Sequence, residues 1–251
     1  DYIHVRGQVT SYQGSNQLNI QRIRKAQDGE YQMTDYMPST KKDMDGMYEE
    51  LIGMIKRTKE PHLRKLAEMI FVEDKKFAME FKVHSAAKSV HHGYIGGLLE
   101  HSLSVAKVCE SYAALYPQIN RDLIVMSALW HDMGKVEELS GFPENDYTDE
   151  GQLVGHIVMG AMKLDRLIRQ IPGFPPKLAN EVKHCMLAHH GELEFGSPKK
   201  PALLEAIALS QADNLDARME TFAEIIEKQK EDQEWSGFQR LLDTRIRKTS
   251  I

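Results

Sequence analysis

His131 and Asp132 are adjacent in Leu129-Trp130-His131-Asp132-Met133-Gly134-Lys135. Neighbouring helical side chains diverge by about 100°, so an imidazole and a carboxylate placed this way can grip two sides of one metal cluster. A carboxylate can also bridge two cations through its two oxygens, and Gly134 lets backbone or substrate come close. By itself such a pair equally marks a capped, hydrogen-bonded histidine. Further candidates follow along the chain. His101 shares an apolar helix face with Leu98, Val105 and Val108. His156 lies beside Gly155 and Gly160, and His189-His190 closes a helix containing Met186 and Leu187. Asp213 sits in an apolar helical run, where an unpaired carboxylate would be costly. Any one of them could be a satisfied core residue; together, on successive helices, they point to a shared site. Imidazole and carboxylate donors suit Mn²⁺, Fe²⁺ or Zn²⁺ better than Ca²⁺, and the cysteine spacing of structural zinc is absent from the sequence.

Other residues have two readings each. Lys135, one turn beyond His131, either binds a non-bridging phosphate oxygen or is a plain surface lysine. His91 and His92 precede a glycine-rich turn and either touch substrate phosphate, as groups that titrate near neutral pH, or form a solvated loop pair. Glu100 reads as a surface glutamate, with support of His101 as the alternative. Asp146, Asp149 and Glu150 fall in a polar loop and suit solvation or helix capping. Lys199, Lys200, Arg240, Arg245, Arg247 and Lys248 read as a wet basic face or as the lining of an RNA path.

These side chains need helices to carry them. From Asp43 onward the apolar spacing is helical: Met47, Leu51, Met54 and Ile55 share one face of Asp43–Thr58. Pro61 opens the next helix, followed by Leu63, Leu66, Ala67, Ile70 and Phe71. Further helices are expected at 98–115, 121–138, 151–171, 176–189 and 202–230, with Gly and Pro clusters between them. The basic stretch Arg240–Lys248 reads as a short terminal helix. Residues 2–37 differ in texture. Their alternation (Ile3, Val5, Val9, then Leu18, Ile20, Ile23) around Gln13-Gly14-Ser15-Asn16 describes a β-hairpin, which alone is marginal in water. The expected fold class is mainly α, with a β segment over 1–37, a linker over 38–42 and a helical domain over 43–251.

Of 251 residues, 41% are hydrophobic and 27% charged, ordinary for a globular chain with a core. A net charge of −5 argues against gripping duplex nucleic acid through a broad basic face. A nuclease that holds phosphates through metals is not excluded. The sequence has no apolar run of about 18 residues and no signal-peptide texture at its first residues, so no membrane partner is expected. Cys109 and Cys185 read as buried reduced thiols, which fits the cytoplasm. Tyr12, Tyr31 and Tyr36 with Arg22, Arg24 and Lys25 could steady a single strand, or be ordinary residues of a small sheet.

The series His101, His131-Asp132, His156, His189-His190 and Asp213 resembles the full ligand set of the HD superfamily of metal-dependent phosphohydrolases. The segments His91-His92-Gly93-Tyr94-Ile95-Gly96-Gly97-Leu98-Leu99-Glu100-His101 and Trp130-His131-Asp132-Met133-Gly134-Lys135 further resemble the bacterial YhaM-type 3′–5′ exoribonucleases, over residues 1 to 230. The resemblance implies a helical catalytic domain preceded by an OB-fold, a nucleic-acid-binding barrel, of which residues 1–37 would be the last strands. It implies that His101, His131, Asp132 and Asp213 hold a first divalent metal, and that Asp132 bridges to a second held by His156, His189 and His190. One-metal and two-metal members both occur. Mn²⁺ is the expected ion, with Fe²⁺, Zn²⁺, Co²⁺, Ni²⁺ and Mg²⁺ as alternatives. Two cations ~3.5–4 Å apart would activate water and neutralise charge growing on a phosphodiester. Asp132 and Lys135 are then the expected catalytic residues, and His91, His92 and Lys135 the expected substrate contacts. The expected activity is 3′–5′ hydrolysis of single-stranded RNA, or DNA, to nucleoside 5′-monophosphates. A phosphodiesterase for small or cyclic nucleotides and a metal-stabilised nucleic-acid-binding module without catalysis are the alternatives; the β segment favours the polymer. A homo-oligomer is compatible with all three.

Overall fold

Alternating apolar residues near the N-terminus form two paired strands in the computed structural model, which describes residues 2–12, 15–27, 29–31, 37–88, 92–230, 232–240 and 242–250. Strand β1 (Ile3–Tyr12) pairs antiparallel with β2 (Ser15–Lys25). The register shifts between Arg6 and Gly7, where the Gly7 backbone runs against the Asn19 carbonyl. Ile3, Val9, Leu18, Ile20 and Ile23 are all exposed. Tyr2 stacks on Tyr31 with ring centroids 4.0 Å apart. Tyr36, the side chain of Tyr12, and Gln13 and Gly14 of the expected turn lie outside the described residues. The chain divides into two units, Asp1–Pro38 and Ser39–Ile251.

In the second unit, α1 (Met44–Arg57) starts at Asp43, whose carboxylate accepts from the Asp45 N–H and satisfies an otherwise orphan donor. Helix α2 (Pro61–Glu68) has proline in its first turn and a Glu60 cap on Leu63. It passes through a π turn at Met69–Glu73 into α3 (Lys75–Val83). The centre is made by α4 (Gly97–Leu115) and α5 (Arg121–Trp130). Every residue of α5 from Leu123 to Trp130 is buried, as a helix apolar on all sides must be. Helices α9 (Pro176–Ala188) and α10 (Leu204–Glu227) pack on α5, and α8 (His156–Ile168) packs on α9. Cys109 and Cys185 are free and buried, and burial pushes both thiols up. Among the described residues no helix is long and apolar enough to cross a membrane.

Three expected helices take a different form. The run 121–138 is α5 followed by a tight turn at 131–134 and a short α6 (Lys135–Glu138). The turn is held by i→i+3 bonds from Met133 N–H to Trp130 and from Lys135 N–H to Asp132. Apolar spacing carries on through so small a tightening, so periodicity does not register it. The run 151–171 is α7 (Asp149–Val154) and then α8, broken at Gly155 with φ +76, a left-handed value that suits glycine. The expected terminal helix Arg240–Lys248 is absent. Trp235 bridges Arg247 and Gln239 bridges Thr244 in antiparallel fashion, Asp243 turns the chain at φ 50, and Ile246 is buried.

Candidate metal centre

The tight turn after α5 sets Asp132 at the middle of the histidines. Its Oδ2 lies 3.5 Å from His101 Nε2 and 3.4 Å from His131 Nε2. Its Oδ1 lies 3.5 Å from His156 Nε2 and 3.6 Å from His189 Nε2. One carboxylate thus faces two histidine groups, each with a different oxygen. Asp213 Oδ1, on α10, is 3.1 Å from His101 Nε2 and 3.8 Å from His131 Nε2. His156, His189 and His190 bring one ligand atom each within 4.8 Å of one another, as do His101, His131 and Asp132.

Each of the five imidazoles is oriented from behind through Nδ1. His131 donates to the Ala128 carbonyl at 2.8 Å, His189 to Met186 at 2.7 Å and His190 to Phe195 at 2.8 Å. His101 Nδ1 meets the Asp216 carboxylate at 2.7 Å, and His156 Nδ1 meets Glu138 at 2.9 Å. Carbonyls and carboxylates only accept, so Nδ1 carries a proton in all five, which points Nε2 inward and leaves it a lone pair for a cation wherever the ring is neutral. Burial pushes His189 and His190 down, keeping them neutral. Burial also acts on His101, but Asp213 and Asp216 outweigh it and push that imidazole up to about 10. For Asp132, burial opposes ionisation, yet the Lys135 ammonium and the His131 imidazole hold the carboxyl well below the usual range.

Three buried atoms at this point have no hydrogen-bond partner among the described residues: Asp132 Oδ1, His156 Nε2 and His189 Nε2. Buried polar atoms are nearly always paired, and leaving one unpaired costs ~1–3 kcal/mol. Two imidazole lone pairs and one carboxylate oxygen, all acceptors, cannot satisfy one another. A divalent cation can satisfy them all, and the donor set fits one.

Lys135 Nζ is 2.6 Å from Asp132 Oδ2 with 17% of its side chain exposed, so it is part of the centre and not a plain surface lysine. His92 is buried at φ 61; its Nδ1 meets the Tyr94 hydroxyl at 3.0 Å and its Nε2 meets Asp216 at 3.1 Å. His91 lies outside the described residues. Glu100, expected on the surface, is buried instead. Lys42 is 2.7 Å from its carboxylate, Thr40 donates at 2.5 Å and Tyr94 at 3.1 Å, because the 39–42 segment pairs with Ile95 and folds over it. Asp146 pairs with Lys88, while Asp149 and Glu150 sit in the first turn of α7. Lys200 and Arg247 pair with Glu192 and Glu234, and Lys248 turns onto backbone carbonyls of Gln229 and Lys230.

Sequence reasoning missed Asp216 and Glu138. Asp216 had a signal, since it lies three residues beyond Asp213 and so on the same helix face. Glu138 had none, since only the return of the chain at Gly155 brings His156 to it, where it also accepts the His156 N–H at 2.9 Å.

The family described as HD domain matches residues 98–218, which spans α4 to α10. Among curated relatives, the 3′-5′ exoribonuclease YhaM of Bacillus velezensis is 35% identical over 86% of this chain and 68% of its own length. The protein of the same name from a Geobacillus species is 33% identical over 91% of this chain and 69% of its own. That of Listeria innocua is 33% identical over 89% and 71% respectively. No solved structure matches the chain.

Proposed function

The chain belongs to the HD-domain family, among the YhaM-type 3′–5′ exoribonucleases, and on that premise we propose that it trims single-stranded RNA from the 3′ end to nucleoside 5′-monophosphates with divalent cations, Mn²⁺ first among them. The observation that supports this best is Asp132, whose two oxygens face separate histidine groups. His101, His131, Asp132 and Asp213 would hold one cation. The other oxygen of Asp132, with His156, His189 and His190, would hold a second. Bound cations polarise a phosphodiester and ready water for attack at neutral pH. Asp216 and Glu138 keep His101 and His156 in the orientation that binding needs. Burial works against the charge of Lys135 but Asp132 outweighs it, so a stable ammonium stands at the centre, within reach of a phosphate oxygen. The exposed apolar side chains of β1 and β2 support reading the first unit as strands of an OB-fold that binds single-stranded nucleic acid.

The test uses a 5′-labelled oligoribonucleotide, its 3′-phosphorylated form and the matching DNA, each incubated with the chain and Mn²⁺. A ladder shortening one nucleotide at a time from the open 3′ end is expected, with the blocked strand resistant, because the enzyme must seat the terminal nucleotide. Internal cuts in both strands would mean an endonuclease. Intact strands, together with phosphate release from mononucleotides, would mean a small-nucleotide phosphohydrolase.

The anchor on His156 gives a separate expectation. Glu138→Ala frees Nδ1 of a cation ligand and should weaken Mn²⁺ binding by roughly 10–100-fold. Glu138→Gln, whose amide oxygen can still accept from Nδ1, should lose much less. Mn²⁺ titration followed by calorimetry separates them; equal losses would show that charge and not orientation matters at this position.

A further inference from the structure

Phe71, Phe77 and Phe81 are buried in the core of the helical unit, whereas Phe195 is 62% exposed. It lines a cavity of about 380 Å³ that also contains His101, Asp132, Lys135, His190 and Asp213. That volume is within the range of roughly 300–1,000 Å³ typical of small-ligand sites. The exposed phenyl ring beside this polar cleft offers an apolar surface, and aromatic faces pair best with other flat π-systems. The segment bearing it is tied down. The Phe195 carbonyl accepts from His190 Nδ1 at 2.8 Å, its N–H donates to Glu192 at 3.1 Å, and the Ser197 hydroxyl donates to Leu187 at 3.1 Å. The Phe195 backbone is thus one hydrogen bond removed from an imidazole of the candidate metal centre. In the same cavity, Asn214 follows Asp213 on α10; its side chain is exposed and makes no hydrogen bond among the described residues. A primary amide offers two donors and an acceptor, the complement of a sugar hydroxyl.

We propose that this cavity contains a terminal-nucleoside subsite in which the Phe195 ring stacks on the nucleobase and the Asn214 amide hydrogen-bonds the ribose 2′-hydroxyl. The inference rests on the exoribonuclease reading and adds what holds the nucleotide being removed. Phosphate occupies the charged floor of His101, Asp132 and Lys135, and the nucleoside extends towards the rim. Stacking accepts any base because each has a π-face, which is what an enzyme that removes every nucleotide in turn requires. The 2′-hydroxyl is the group that distinguishes RNA from DNA at a given position.

Calorimetric titration of the Mn²⁺-loaded chain with AMP, 2′-deoxy-AMP and ribose 5-phosphate tests both halves. The unsubstituted chain should bind AMP on the order of tenfold tighter than ribose 5-phosphate. Phe195→Leu should erase that advantage and Phe195→Trp should keep it, with ribose 5-phosphate bound alike by all three. Asn214→Ala should bind AMP only as tightly as the unsubstituted chain binds 2′-deoxy-AMP. Unchanged AMP affinity in Phe195→Leu would overturn the stacking, as would an equal loss for ribose 5-phosphate, which would mean a distorted cavity. Equal affinity of the unsubstituted chain for AMP and 2′-deoxy-AMP would overturn the role of Asn214. If the chain trims no RNA while these preferences hold, the exoribonuclease reading fails and the subsite stands. If it trims RNA but binds AMP no better than ribose 5-phosphate, the subsite alone fails.

Discussion

Asp132→Ala is expected to abolish hydrolysis, by on the order of a thousandfold or more, and to leave the purified protein with less metal than any single histidine substitution does. The reason is geometric. Asp132 Oδ2 faces His101 and His131 while Oδ1 faces His156 and His189, so this one side chain serves both groups. His156→Ala removes a ligand from only one of them. Asp132→Asn is the informative companion, because it keeps the shape but has a single acceptor oxygen and no charge. It should retain metal on one side at most. Elemental analysis of the three variants alongside the unsubstituted chain decides the matter. Metal content in Asp132→Ala equal to that of the unsubstituted chain would sink the bridging role, and a larger loss in His156→Ala than in Asp132→Ala would reverse it.

The second large effect comes from a residue with no functional group. A Cβ on Gly134 would fall inside contact distance of the His156 carbonyl oxygen and its Cα. Those atoms are backbone, so no rotamer change relieves the clash. Gly134→Ala must therefore push the first turn of α8 away from the turn that carries Asp132, or displace that turn itself. Overpacking of this kind costs ~1–3 kcal/mol, which for a domain of this size lowers Tm by roughly 2–4 °C per kcal/mol. The shift also withdraws His156 from Asp132 and Glu138, so the cation on that side should be lost. Gly141→Ala is the control, because nothing lies within 4 Å of its would-be Cβ and it should melt like the unsubstituted chain. A Gly134→Ala variant with ordinary Tm and full metal content would show that the close approach is dispensable.

Helices were legible in much of the sequence where apolar residues recur at helical spacing, although α3, which buries Phe77, Ala78 and Phe81 at that spacing, was not expected. Met47, Leu51, Met54 and Ile55 all face the core of α1 as that spacing requires. The histidines of the candidate centre were legible for the opposite reason. His101 lies among Leu98, Leu99, Leu103 and Val105, all buried, and a polar side chain on such a face needs a partner supplied from elsewhere. The HD-family kinship was carried by the same residues, together with the glycine-rich segment before His101.

Several features came only with the tertiary structure: the tight turn at 131–134, the break at Gly155, the burial of Glu100, the strand-like pairing near the C-terminus, and the parts played by Asp216 and Glu138. Spacing along the chain reports which face of a segment is covered, since burial repeats with the local period. It carries no information about which acceptor stands behind an imidazole or which two backbones touch. Glu138 reaches His156 across 18 residues and His101 reaches Asp216 across 115. Those contacts exist because packed helices bring distant segments to within hydrogen-bond range, and that same packing turns four imidazole Nε2 atoms towards one carboxylate.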